Sequence, residues 1–363
     1  MAVLNKKTIQ RGSKIRVLVV DDSVVIRRLV TQALSEDAAL EVVGSASNGS
    51  IALSRVPQLN PDVITLDIEM PEMDGLETLR RLRQTYKAVR VIMFSTLTER
   101  GAAVTMEALA SGADDYVAKV SNMGSLDKSM ANLRHELIPK IKQFFALQEA
   151  GAAPTAPVNG HGAVKLPAIC QPTVAPEVVA IGVSTGGPTA LGQIMPQFPA
   201  RFPLPVLIVQ HMPPLFTRLL AERLQVGSEL KIEEAREGAA IEPGKVLIAP
   251  GDFHMRVARK GRQAVVALDQ GPPENSCRPA VDVLFRSVEE VYGGAAIAAV
   301  LTGMGYDGAR GASVLKAAGS YVIAQDEATS VVWGMPGAVV RAGLADAVVP
   351  LDGVLPTMLR RIS

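Results

Sequence analysis

Ser184, His211 and Asp307 each stand just beyond an apolar, strand-like run: VVAIGV, PVLIVQ and AAIAAVLTG. In an open parallel α/β sheet, the loops past the carboxyl ends of the strands form the ligand crevice. A hydroxyl, an imidazole and a carboxylate meeting there can act as nucleophile, general base and orienting acid in acyl transfer. The first half of the chain places acids in the same way, with Asp21 and Asp22 after IRVLVV and Asp67 after DVITL. Three carboxylates in a shallow pocket repel one another, and a hard cation such as Mg²⁺ offsets this. One of them can then attack a phosphoryl group. Ser95 follows the fourth strand-like run and Lys119 the fifth, where a hydroxyl and an ammonium can bind phosphate oxygens. An Asp at a strand end is often only a helix cap. Five such residues on four strand ends argue for a site instead.

Each group of the second half has rivals. Gly182-Val183-Ser184-Thr185-Gly186 fits G-x-S-x-G between a strand and a helix starting near Pro188, which puts a serine on a sharp turn. Gly186 and Gly187 permit close backbone approach, and the helix N-terminus favours developing negative charge. His211 is preferred as the base because it follows its strand directly; His254, in APGDFHMRV, is the alternative. Asp252, Asp269 and Asp282 are weaker acids than Asp307, since none follows a long apolar run so directly. The order Ser, His, Asp differs from that of α/β-hydrolases, although triads recur in several orders. Gly303-Met304-Gly305-Tyr306-Asp307-Gly308 also matches G-x-G-x-x-G, with Asp326 at the distance of a ribose-binding acid. Dinucleotide folds carry that loop on their first strand, and here only SYVIAQ and ADAVVPL remain after it. Cys277, ahead of Arg278-Pro279 at a helix start, is a weaker nucleophile candidate than Ser184, with no strand directly before it.

The elements that must position these groups form an α/β protein. At 363 residues two domains are expected. Strand-like and helix-like stretches alternate over residues 15–133, with the flavodoxin-like strand order that would bring Asp21, Asp22 and Asp67 together in a five-stranded parallel sheet. Residues 134–177 are expected to hold a helical extension, bent or interrupted at Pro139, and an Ala/Pro/Gly-rich linker in which His161 and Cys170 have no assigned role. Residues 178–363 read as a doubly wound α/β domain with a mostly parallel sheet, which the hairpin-like HMRVARKGRQAVVAL makes mixed. Net charge of +1 gives no push toward nucleic acid, and no apolar run reaches the ~20 residues of a membrane helix. Two cysteines make no disulfide framework. MAVLNKKTIQRGSK reads as a short disordered leader, and a cytoplasmic setting is expected.

VVDDS, LDIEMPEMDG and the late Lys119 resemble a response-regulator receiver domain. The resemblance implies Asp67 as phosphoacceptor, and Asp21, Asp22 and Asp67 as holders of Mg²⁺ with help from the Glu69 backbone carbonyl. It also implies Ser95 and Lys119 as switch residues. Such receivers commonly carry Lys-Pro where this chain has Lys119-Val120. IGVSTGGPTAL, VQHMP, IAPGDFHM, RPAVDVLF and LTGMGYDGARG are similar to the catalytic domain of chemotaxis protein-glutamate methylesterases. That implies Ser184 as nucleophile, His211 as general base and Asp307 as its acid, with Thr185 and the Met304 backbone at the oxyanion site. Val183 and Cys277 stand where the family more often has alanine and histidine. The implied activity is demethylation of glutamate methyl esters, with release of methanol, on the cytoplasmic helices of methyl-accepting chemotaxis receptors. Deamidation of certain receptor glutamines is implied as well. A chemotaxis histidine kinase would supply the phosphoryl group that lifts receiver gating, Mg²⁺ would serve the receiver, and the esterase would need no cofactor. Two other classes remain open at this stage: a receiver joined to a non-catalytic binding module, and a general esterase or amidase.

Overall fold

The computed structural model describes residues 7–9, 13–96, 98–119, 126–147 and 174–362. The chain divides into two compact units, residues 5–163 and residues 164–363 with the first four residues. Val120, His161 and Cys170 lie outside the described residues.

In the first unit a short strand β1 (Lys7–Ile9) precedes the main alternation of β2 (Ile15–Val20), α1 (Val24–Ser35), β3 (Leu40–Ala46), α2 (Gly49–Leu59) and β4 (Val63–Asp67). It continues through α3 (Gly75–Thr85), β5 (Arg90–Ser95), α4 (Glu99–Ala110), β6 (Asp115–Ala118), α5 (Leu126–Lys142) and β7 (Phe145–Leu147). The five-stranded sheet runs β3-β2-β4-β5-β6, parallel throughout. Its central strands are buried end to end, as VITLD and RVIMFS show, because helices cover both faces of a parallel sheet. Short polar residues start the helices: Ser23, Asn48, Asp74 and Thr98 each accept a hydrogen bond from the first turn.

Two expectations are corrected here. The stretch read as a disordered leader contains β1, which pairs in parallel with β7. Three residues are too few for a period to show, and the partner is far along the chain. Pro139 does not interrupt α5, which continues to Lys142. It removes only its own N–H from the ladder, and the Gln143 N–H still reaches the Pro139 carbonyl at 3.0 Å.

The second unit contains β8 (Val178–Val183), α6 (Gly187–Ile194), β9 (Val206–Gln210), α7 (Phe216–Val226), β10 (Lys231–Glu234), β11 (Lys245–Ile248), β12 (His254–Lys260) and β13 (Gln263–Asp269). There follow α8 (Val281–Tyr292), β14 (Ala296–Val300), α9 (Ala309–Ala317), β15 (Tyr321–Gln325), α10 (Met335–Arg341), β16 (Ala347–Val349) and α11 (Val354–Ile362). Seven strands form one sheet in the order β10-β11-β9-β8-β14-β15-β16. All its pairings are parallel. The expected hairpin, β12 with β13, forms a separate antiparallel sheet, so the main sheet is not mixed. It is anchored to α8, where the Val257 N–H donates to Ser287 Oγ at 2.9 Å. From β8 the chain moves outward to β9 on one side; from β14 it moves to β15 on the other. That reversal makes the β8/β14 junction a switch point. A core of Leu207, Val209, Leu247, Phe285, Val300 and Leu315 holds helices and hairpin to the strands that end there.

Candidate active site

Ser184, His211 and Asp307 all lie at the carboxyl edge of neighbouring strands, β8, β9 and β14. The strand-to-helix turn at Ser184 depends on glycine. Gly186 adopts φ +78° and caps α6. A Cβ at Gly187 would stand 1.9 Å from Gln210 Oε1, and one at Gly303 would stand 2.8 Å from Ser184 Cβ. Such approaches are open only to residues without a side chain. The Ser184 N–H donates to the Thr302 carbonyl at 3.0 Å. Its own carbonyl accepts from Gln210 Nε2 at 3.0 Å, and the same amide reaches the His211 carbonyl at 3.3 Å. Gln210 thus ties the serine turn to the histidine strand.

His211 Nε2 lies 2.7 Å from Asp307 Oδ2. The same Oδ2 accepts from the Val281 N–H at 2.7 Å. Oδ1 accepts from Asn275 Nδ2 at 2.9 Å, from the Asp282 N–H at 3.0 Å and from the Gly308 N–H at 2.9 Å. The carboxylate is 2% exposed and fully engaged, so its orientation is fixed. Burial favours a neutral Asp307, but the His211 hydrogen bond and charge, with the Val281 and Asp282 amides, hold it ionised below the usual range. Burial likewise disfavours a charged His211. The Asp307 bond and the Cys277 thiol outweigh it and raise the affinity of the imidazole for a proton.

With Nε2 committed to Asp307, Nδ1 is the nitrogen able to take a proton from a nucleophile. Cys277 Sγ lies 3.6 Å from it. Among the described residues, no hydrogen bond joins the Ser184 hydroxyl to the imidazole; such bonds are often long before substrate arrives. His254 is engaged elsewhere: Nε2 donates to the Pro272 carbonyl at 3.1 Å, and Nδ1 accepts from the Ala280 N–H at 3.3 Å. Thr185 is buried beside Ser184 and accepts from Thr302 Oγ1 through its carbonyl at 2.9 Å. Met304, 39% exposed, sits on the loop from β14 that leads to Asp307. Asn275 and Gln210 are the functional candidates that sequence reading missed. Asn275 Nδ2 also donates to Asp282 Oδ2 at 3.0 Å, so one amide links two buried carboxylates. Its one visible signal is residue type, because asparagine tolerates the left-handed backbone it adopts, φ +52°.

The acids of the first unit also converge at a switch point, between β2 and β4. Carboxylate oxygens of Asp21, Asp22 and Asp67 lie within 4.8 Å of one another. Lys119 Nζ stands 2.7 Å from Asp67 Oδ1 and 2.9 Å from Asp21 Oδ2. Asp67 Oδ2 is buried without a donor, which fits a group that a cation would satisfy. Burial raises the Asp67 carboxyl to about 6, with the Asp21 charge assisting and Lys119 opposing. Glu69 contributes its N–H, 3.4 Å from Asp67 Oδ1, while its side chain stands 4.0 Å from Arg100. Ser95 ends the neighbouring strand, but its hydroxyl bonds the Thr96 carbonyl at 3.1 Å and accepts from Thr105 Oγ1 at 2.6 Å. The structure does not bring it into a hydrogen bond with the acidic cluster.

Known proteins agree in arrangement. A family model described as CheB methylesterase matches residues 179–358, and one described as response regulator receiver domain matches residues 17–131. A protein-glutamate methylesterase/protein-glutamine glutaminase of Trichodesmium erythraeum is 50% identical, over 96% of this chain and 99% of its own. One from a Nocardioides species is 52% identical, over 96% of both chains. The crystal structure of the Thermotoga maritima CheB methylesterase catalytic domain superposes with a TM-score of 0.50 at 44% identity, covering 52% of this chain and 99% of that one. With its two units, two switch-point sites and near-complete alignment, this chain belongs to the family of protein-glutamate methylesterases/protein-glutamine glutaminases, hydrolases that carry a response-regulator receiver.

Proposed function

We propose that this hydrolase removes methyl esters from glutamate side chains of chemoreceptor helices and deamidates selected glutamines there. Its parts would be a receiver at residues 15–133, an extension and linker at 134–177, and a catalytic domain at 178–363. The observation that carries the reading is the 2.7 Å His211–Asp307 bond beside the glycine-built turn of Ser184. Ser184 Oγ attacks the ester carbonyl while its proton passes to His211 Nδ1. Backbone N–H groups near Thr185 and Met304 stabilise the oxyanion. Methanol leaves with the proton from His211, and water then releases the free carboxylate. A glutamine follows the same path with ammonia as leaving group. The esterase chemistry needs only groups of this chain.

In the receiver, Asp67 takes the phosphoryl group from a histidine kinase, and Asp21, Asp22, Asp67 and the Glu69 carbonyl would hold Mg²⁺. When bound, the ion neutralises charge on the phosphoryl oxygens. Lys119 pairs with the new phosphoryl charge of about −1.5 to −2. Ser95 exchanges its Thr105 contact for a phosphoryl oxygen. The receiver thereby switches state and relieves restraint on the esterase. The setting is the cytoplasm, and no described helix is long and apolar enough to cross a membrane.

The test is methanol release from methylated receptor fragments, with a small generic ester as control. Ser184→Ala should abolish release and leave Asp67 phosphorylation intact; turnover surviving that change would refute the nucleophile. Asp67→Asn should remove the rise in activity that a small phosphodonor gives the parent. Equal stimulation of both would refute receiver gating. Efficient cleavage of the generic ester without receptor preference would mark a general esterase.

A further inference from the structure

Cys277 is not a loose surface thiol. It closes a tight turn in which the Glu274 N–H donates to the Cys277 carbonyl at 3.0 Å and the Cys277 N–H to the Glu274 carbonyl at 2.9 Å. The two central residues, Asn275 and Ser276, adopt φ +52° and +62°. Such a left-handed pair is held only where its surroundings require it. Three contacts supply that requirement. Arg286 grips the Glu274 carboxylate at 2.8 and 2.5 Å, and Asn275 Nδ2 binds both Asp307 and Asp282. The turn is thus braced on the acid that orients the base, and it holds Sγ 3.6 Å from His211 Nδ1.

Nδ1 is the one imidazole nitrogen free of Asp307, and therefore the nitrogen that Ser184 needs. A thiol beside it can transfer its proton and leave a thiolate–imidazolium pair, in which both partners are stabilised by the other. The serine hydroxyl, far less acidic, loses that competition at rest. Resting on the esterase reading above, we infer that Cys277 is a positioning residue that holds His211 Nδ1 in the unliganded enzyme, so that Ser184 is deprotonated only after the thiol yields the nitrogen. The other charged group bonded to the imidazole is Asp307, at Nε2; Asp282, Glu274 and Arg286 interact electrostatically with Asp307, and His254 with Glu274. Among the described residues, Cys277 is the one side chain hydrogen-bonded to His211 Nδ1.

The experiment is the pH dependence of methanol release for the full-length parent, Cys277→Ala and Cys277→Ser, each with the catalytic triad intact. Both variants should move the acid limb of kcat/KM down by about one pH unit or more. Around pH 6.5 their activity should exceed the parent's by roughly tenfold. Acid limbs that coincide with the parent's would overturn the inference. A second measurement needs no variant: iodoacetamide labelling of the parent, with the Cys277 peptide followed by mass spectrometry. At mildly acidic pH, Cys277 should be labelled faster than free cysteine under the same conditions. Labelling no faster than that also overturns the inference, even if neither variant folds. Turnover surviving in Ser184→Ala would sink the esterase reading itself. A dead Ser184→Ala together with unshifted cysteine variants sinks only the role of Cys277.

Discussion

Asp307 shows how much one carboxylate can organise. It fixes the His211 tautomer by accepting from Nε2, and it gathers the amides of Val281, Asp282 and Gly308 at the start of α8 and α9. The raised proton affinity of His211 has a defined sign for activity. A base must be neutral, so methanol release should climb with pH along an acid limb lying above the ordinary imidazole value of about 6.5. Asp307→Asn removes the charge that holds the proton. Its acid limb should move down while kcat falls by about 10³ or more, as expected when the base loses its orienting acid. Rate profiles of the two proteins across pH check both effects. At this scale the strand-edge placement of Ser184, His211 and Asp307 was legible because each follows an apolar run. Asn275 and Gln210 were not. Gln210 occupies a buried strand position that looks like any other, and Asn275 lies in a turn where no periodicity guides the eye.

Among the elements, the β8–α6 turn is the least tolerant. Gly187→Ala drives a methyl into Gln210 Oε1 and displaces the amide that ties the Ser184 carbonyl to the His211 carbonyl. Esterase activity should fall at least tenfold, and the thermal midpoint of the catalytic unit should drop by about 2–4 °C for each kcal/mol lost. Calorimetry beside the methanol assay separates the two. Interior strands such as β8, β9 and β14 were readable as unbroken apolar runs, which is what burial on both sheet faces produces. The edge strand β10, KIEE, was missed because charges blunt an edge against further pairing and erase the apolar signal. The hairpin was legible, but its attachment to α8 was not. That attachment combines the Ser287 hydroxyl on the Val257 N–H, the Arg259 guanidinium on the Val291 carbonyl and buried apolar packing, contacts between residues far apart in the chain.

At the scale of the whole molecule, two parallel sheets each place their reactive groups at a reversal of strand order. Sequence made this duplication visible, since both halves repeat strand, reactive residue and helix. The division of labour predicts a clean separation of metal dependence. Chelating divalent cations should abolish phosphorylation from a small donor and the activation that follows, yet leave basal methanol release within about twofold of its untreated value if, as proposed, the esterase works through Ser184, His211 and Asp307 alone. A basal rate that collapses with the chelator would contradict this. The strands beneath Ser184, His211 and Asp307 are interior members of a seven-stranded sheet. In heavy water their amide protons would be among the last to exchange, long after the edge strands β10 and β16 have opened. The reacting groups are thereby mounted on the most enduring ground the fold possesses, and warmth that loosens the periphery leaves the chemistry in place.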